Sequence, residues 1–139
     1  IDAGGWDSGL ESAEDALLFS QISLLGDWKH VLGSPVVFRV HQAGELGEAG
    51  NLSSKFSDRF ERWAVTYELI FRKVAEYVTT AEQKYLEAQV GNYWYRAGKT
   101  YQKSDQRVAA VSCFKKALGW NRRLLRARFR LLKLGHLSP

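Results

Sequence analysis

Trp94-Tyr-Arg-Ala-Gly98-Lys-Thr-Tyr101-Gln-Lys-Ser104-Asp105-Gln-Arg-Val-Ala-Ala110-Val-Ser-Cys-Phe114-Lys-Lys-Ala117 is the stretch on which the fold turns. Its first half reads large, small, large at Trp94, Gly98 and Tyr101. Its second reads small, large, small at Ala110, Phe114 and Ala117. Spacings of three and four place each set on one helical face. Gly98 and Ala110 allow two helices to approach closely, while the three aromatic rings fill the space around them. Ser104-Asp105 supplies the turn between the helices. Outward from this hairpin the pattern stays helical. Thr79 and Thr80 ahead of Glu82 mark a helix start, and that helix runs through Tyr85 and Ala88 to Gly91 or beyond. Before it, Phe56, Phe60, Trp63, Tyr67, Ile70, Phe71, Val74 and Tyr77 form an amphipathic stripe, which is core. After the hairpin a closing helix spans Asn121 to Leu134. Helix is therefore expected from about residue 55 onward, with β-structure confined to residues before 45.

The hairpin spacing resembles a tetratricopeptide repeat. Arg122 stands where that repeat usually has Pro, and a degenerate second copy is read over Phe60 to Ala81. Stacked repeats need several units to be stable alone, so a short array is expected to lean on the rest of the chain.

The 139 residues are 45% hydrophobic and 13% aromatic, enough for a packed core. The chain starts at Ile1 and has no Met, which reads as a piece of a longer protein. No apolar run approaches the ~20 residues of a spanning helix, and no signal peptide is evident. The single cysteine, Cys113, cannot form an internal disulfide, fits a reducing compartment, and reads as a small buried hydrophobe. A cytoplasmic protein, peripheral at most to the inner face of a membrane, is expected. Charge is divided sharply. Residues 1–50 carry two basic and eight acidic side chains, residues 51–90 six of each, and residues 91–139 twelve basic and one acidic. An acidic front and a basic back suggest two jobs.

The front part holds three islands in fixed order: Gly4-Gly5-Trp6-Asp7, Glu14-Asp15 and Arg39-Val40-His41. Ser12 followed by Asp15 ahead of Leu17, Leu18, Ile22 and Leu25 opens a helix, with Glu14 and Asp15 in its first turn. Backbone N–H groups and the helix dipole favour negative charge there. Short strands are expected at Trp28–Leu32 and Val36–Val40. Arg39 and His41, two apart, share a face. The segment 42–54, with three glycines and no periodicity, is a loop that serves as a flap or a plain linker. It divides the chain into residues 1–50 and 51–139. Asp15 alone admits a capping role, His41 admits that of a hydrogen-bonded strand-end residue, and His30 and His136 read as surface residues. No His-x-x-x-His, Cys-x-x-Cys, phosphate loop or nucleophile elbow is present, so hydrolase and nucleotide-hydrolysing readings lack a basis.

Together the islands, a Gly-containing turn at Gly26 and Pro35-Val-Val-Phe-Arg-Val-His41 resemble the second half of the catalytic domain of family 2 glycosyltransferases. The likeness covers about the first third of the chain. It implies an A-type α/β fold, inverting chemistry, a nucleotide-sugar donor and a hydroxyl acceptor on an envelope polysaccharide, glycolipid or glycan. By the same resemblance Asp15 is the general base. Glu14 and Asp7 position the acceptor, Trp6 stacks on a sugar face, and Arg39 with His41 faces the leaving diphosphate. His41 is the implied contact to a divalent metal, Mg²⁺ or Mn²⁺. The donor half, with its Asp-x-Asp, would precede Gly4, so residues 1–139 alone are expected to bind neither metal nor donor. Leu17 and Gln21 stand where the family usually has Asp and Arg. On this reading the fold is mainly α: an α/β remnant followed by a tetratricopeptide-like bundle. The rival reading is a non-catalytic helical scaffold that binds a protein partner.

The closing helix carries six basic residues among Leu and Phe. Its arginines suit nucleic-acid phosphates, an anionic membrane surface, or plain solvation over an apolar core stripe. No zinc spacing, helix-turn-helix or aromatic-rich sheet accompanies them, which argues against nucleic acid.

Overall fold

The computed structural model describes residues 8–10, 14–27, 29 and 58–135. These hold five helices: α1 (Glu14–Ile22), α2 (Arg59–Val74), α3 (Thr80–Lys103), α4 (Arg107–Trp120) and α5 (Leu125–Lys133). Among the described residues there is no strand, and the mainly helical expectation holds. The strands expected at 28–32 and 36–40, the 42–54 segment and Phe56 lie outside the described residues.

α3 begins on a complete capping box. Thr79 is extended, its hydroxyl oxygen accepts from the Glu82 N–H at 3.3 Å, and a Glu82 carboxylate oxygen accepts from the Thr79 N–H at 2.8 Å. The Thr79 hydroxyl and backbone N–H together hold the Glu82 carboxyl below its ordinary range. From there the helix runs 24 residues, passing through Gly91 and Gly98 without a break. Each glycine costs a helix about 1 kcal/mol relative to Ala. Contact with α4 explains both. A Cβ on Gly98 would sit 2.7–2.8 Å from the Phe114 ring, and one on Gly91 would lie 3.1 Å from Asn121 Cβ. α3 ends at a turn in which Asp105 adopts a left-handed φ of 57°. Asp is among the few residues that tolerate this.

The hairpin then closes as its spacing requires. Trp94, Ala110, Phe114 and Ala117 are buried, and Tyr101 is half-buried. Val90, Ala97, Val111 and Cys113 complete the α3–α4 contact, Ala64 enters from α2, and Leu124, Ala127 and Leu131 enter from the α5 side. Cys113 is a free, buried thiol, as read from the sequence.

The aromatic stripe of α2 packs ring against ring on α3. Trp63 stacks on Tyr93 at 5.5 Å, and Tyr67 meets Tyr93 at 4.8 Å. Burial and the neighbouring Tyr93 push the Tyr67 hydroxyl up to about 12. The stripe is shorter than its periodicity suggests. α2 ends at Val74, so Tyr77 falls in the following turn and is exposed. Residues 60–81 thus contain one helix, a turn and the first two residues of α3, not a second hairpin. The closing helix also starts late, because Asn121 folds the chain into a turn. Its carbonyl accepts from the Leu124 N–H at 3.0 Å, and its side-chain oxygen accepts from the Arg123 N–H at 3.1 Å.

α1 docks on α2 through a separate small cluster. Leu17 is buried against Ile70 and Val74, with Leu10, Leu24 and Leu86 around them. Gln21, one helical turn further on, is buried as well.

Candidate functional site

Of the six residues singled out for catalysis and binding, Glu14 and Asp15 are described; Trp6, Asp7, Arg39 and His41 lie outside the described residues. Both carboxylates occupy the first turn of α1, where the helix dipole favours their negative charge. Asp15 is exposed, and its Oδ1 accepts from the Ala16 N–H at 2.8 Å. Two residues along a helix is a rotation of about 200°. Leu17 faces α2, so Asp15 points away from the helical core. The two departures from the family pattern, Leu17 and Gln21, are the two buried residues of α1. A charged side chain at the position of Leu17 would be buried against Ile70 and Val74 at high cost. Ser12, the other half of the expected capping box, is outside the described residues.

A second polar centre was not legible in the sequence. Glu68 of α2 places Oε1 2.6 Å from the indole nitrogen of Trp94 and 2.9 Å from that of Trp120, and both N–H groups donate to it. Lys116 lies 3.8 Å above the Trp94 ring, and Phe71 meets Trp120 edge-on at 5.2 Å. One carboxylate thereby fastens three helices. The available signal was indirect: a buried tryptophan N–H needs an acceptor. Nearby, Tyr101 donates to Glu61. That hydrogen bond, followed by burial, raises the Tyr101 hydroxyl above its ordinary range. Burial, then the Glu61 charge, pushes the Cys113 thiol up to about 11, and Lys116 opposes the shift in part. A thiol raised in this way is poorly nucleophilic at neutral pH.

The third feature is an open cleft between α3 and α5, lined by Gln89, Asn92, Tyr93, Tyr95, Arg96, Lys99 and Arg126. Among the described residues no group of three His, Cys, Asp or Glu side chains is placed to hold a metal ion, and no helix is long and apolar enough to cross a membrane. Comparison with known proteins returns no match: no family model, no curated protein and no solved structure aligns with the chain.

Proposed function

We propose that this chain carries the end of an inverting, family 2-like glycosyltransferase domain, joined to a tetratricopeptide-like helical extension. The observation that supports it is the orientation of α1. Its apolar side, at Leu17, is held against Ile70 and Val74, while Asp15 stands exposed on the opposite side at a helix start. The extension then acts as a rigid backing that aims the carboxylate outward. In the reaction, Asp15 takes the proton of an acceptor hydroxyl as that oxygen attacks the anomeric carbon of a nucleotide-activated sugar. The nucleoside diphosphate leaves from the opposite face, inverting the anomeric centre. Glu14 and Asp7 position the acceptor, Trp6 packs on a sugar face, and Arg39 and His41 face the diphosphate. A divalent metal, Mg²⁺ or Mn²⁺, would neutralise that leaving group, with His41 as its contact in this chain. Exposed Leu125, Phe129 and Leu132 among the arginines of α5 support a place at an anionic membrane surface.

The hairpin, packed as its repeat-like spacing requires, favours a second reading, a non-catalytic scaffold that binds a protein partner. Asp15→Asn in the full-length enzyme separates the two. Asn keeps an oxygen acceptor but is not a useful base. Catalysis by Asp15 predicts unchanged folding and retained donor binding, with turnover reduced about 10²–10⁴-fold. Sugar transfer at a near wild-type rate, measured at matched folded concentration, would remove Asp15 from catalysis and leave it a cap.

A further inference from the structure

Arg96 and Lys99 of α3 and Arg126 of α5 share one open cleft of about 390 Å³. Among the described residues none of the three is paired with a carboxylate. Arg126 donates to Asn92 Oδ1 at 3.2 Å, and its guanidinium carbon lies 4.9 Å from the centre of the Tyr95 ring. The Arg96 guanidinium lies 4.1 Å from the Phe60 ring centre and 5.8 Å from that of Tyr93. Lys99 Nζ lies 6.0 Å from the Tyr95 centre. Rings and a neutral amide orient a cation but leave its charge intact. Among the described residues no carboxylate lines the cleft. An adjoining cleft shares Arg96 and Lys99 and adds Thr100 and Lys103, so the positive character continues along α3.

The same contacts narrow the ligand class. Tyr95 already has cations over its ring and Tyr93 is stacked on Trp63 and Tyr67, so the cleft presents little bare aromatic surface for an apolar anchor or a stacked base. Three cations sharing one cleft call for more than one negative charge at a single point. A carboxylate supplies one. A phosphomonoester supplies about 1.5–2, with three acceptor oxygens suited to guanidinium forks. We propose that the cleft between α3 and α5 binds a phosphomonoester or diphosphate group, held by Arg96, Lys99 and Arg126 and oriented by Asn92. The group belongs either to a soluble phosphate ester or to a lipid headgroup. This site is remote in sequence from Asp15, and the assignment stands whether or not Asp15 is a catalytic base.

The test is calorimetric titration of the chain with inorganic pyrophosphate at low ionic strength. Saturable binding is expected, weakening steeply with salt. The double variant Lys99→Gln/Arg126→Gln should bind at least about tenfold more weakly, since it removes two charge-assisted contacts. Its melting temperature should remain that of the parent, because both side chains lie at the protein surface. Arg122→Gln/Arg123→Gln/Arg128→Gln removes charge outside the cleft and should leave affinity nearly unchanged. Sedimentation with phosphatidic-acid vesicles identifies the source. Vesicle binding displaced by pyrophosphate assigns a lipid headgroup; pyrophosphate binding without vesicle binding assigns a soluble ester. The proposal is overturned by any of three results: no saturable pyrophosphate binding, equal loss in the outer triple variant, or tighter competing binding by an oligoglutamate peptide.

Discussion

Among the described residues there are two apolar clusters of very different size, and α2 belongs to both. On one side Ala64 joins a core of thirteen buried residues spread over α2–α5 and the turn before α5. On the other, Leu17 is the one buried partner that Ile70 and Val74 meet among the described residues. Buried apolar area sets most of the resistance to opening. α1, with Asp15 exposed at its start, is therefore the locally weaker unit, resting on the larger core through Ile70 and Val74. A candidate catalytic helix at the less stable end of a molecule can adjust to what lies against it, while the platform keeps its shape.

Two truncations test that asymmetry most severely. Phe114→Ala should destabilise the whole helical core by about 3–5 kcal/mol, because the ring fills the space between α3 and α4. Urea denaturation should show one transition, shifted as a whole. Leu17→Ala should cost nearer 2 kcal/mol and act on α1 alone. Hydrogen exchange should speed up across residues 14–22 while amides of 90–117 keep their protection. Equal loss of protection in both regions would mean that the clusters form a single cooperative unit.

Gly98→Ala sharpens the comparison from the large core. On an exposed helix the change would be favourable by about 1 kcal/mol. Here the added methyl meets the Phe114 ring inside normal contact distance. Overpacking of this kind costs about 1–3 kcal/mol, so the melting temperature should fall. A rise would show that the ring can move aside.

The smallest effect expected is on pH dependence, and it too separates the regions. Cys113, pushed up to about 11 from its ordinary 9.0, and Tyr67, pushed up to about 12 from 10.0, bind protons more tightly folded than unfolded. Tyr101 is raised as well. Their contribution to stability is complete below about pH 9 and is lost as pH rises through 9 to 12. Denaturation midpoints across that range should fall, and Cys113→Ala should delay the onset of the fall. Protection of α1 should follow only as α2 itself opens.

What could be read in advance follows from how local each signal was. The hairpin was legible because Gly98, Tyr101, Ala110 and Phe114 lie close in sequence, and a glycine inside a helical pattern implies a close neighbour. The α3 start was legible because a capping box spans four residues. Glu68 was not, since its partners Trp94 and Trp120 lie 26 and 52 residues away. The cleft was hidden for the same reason: Arg126 and Tyr95 meet only after α5 folds back toward α3. Leu17 and Gln21 were visible as departures from a pattern, but periodicity says which side of a helix is buried, not against what. Tyr77 was assigned to the core because the stripe continues past the point where α2 stops. At the candidate site only Glu14 and Asp15 were placed by the described structure, both in the first turn of α1 as their sequence position predicts.

The double indole grip of Glu68 also limits where this chain can be divided. The turn from Ala75 to Thr79 invites a cut, since α3 starts there on its own complete cap and the hairpin follows intact. Yet a shortened chain starting at Thr79 would leave two tryptophan N–H groups without their shared acceptor and uncover the ring faces that Phe71 and Tyr67 protect. The smallest unit that keeps its polar contacts closed therefore begins ahead of α2. By that measure the helical region is an inseparable α2–α4 assembly, with α5 laid along it, rather than a two-helix repeat with optional neighbours.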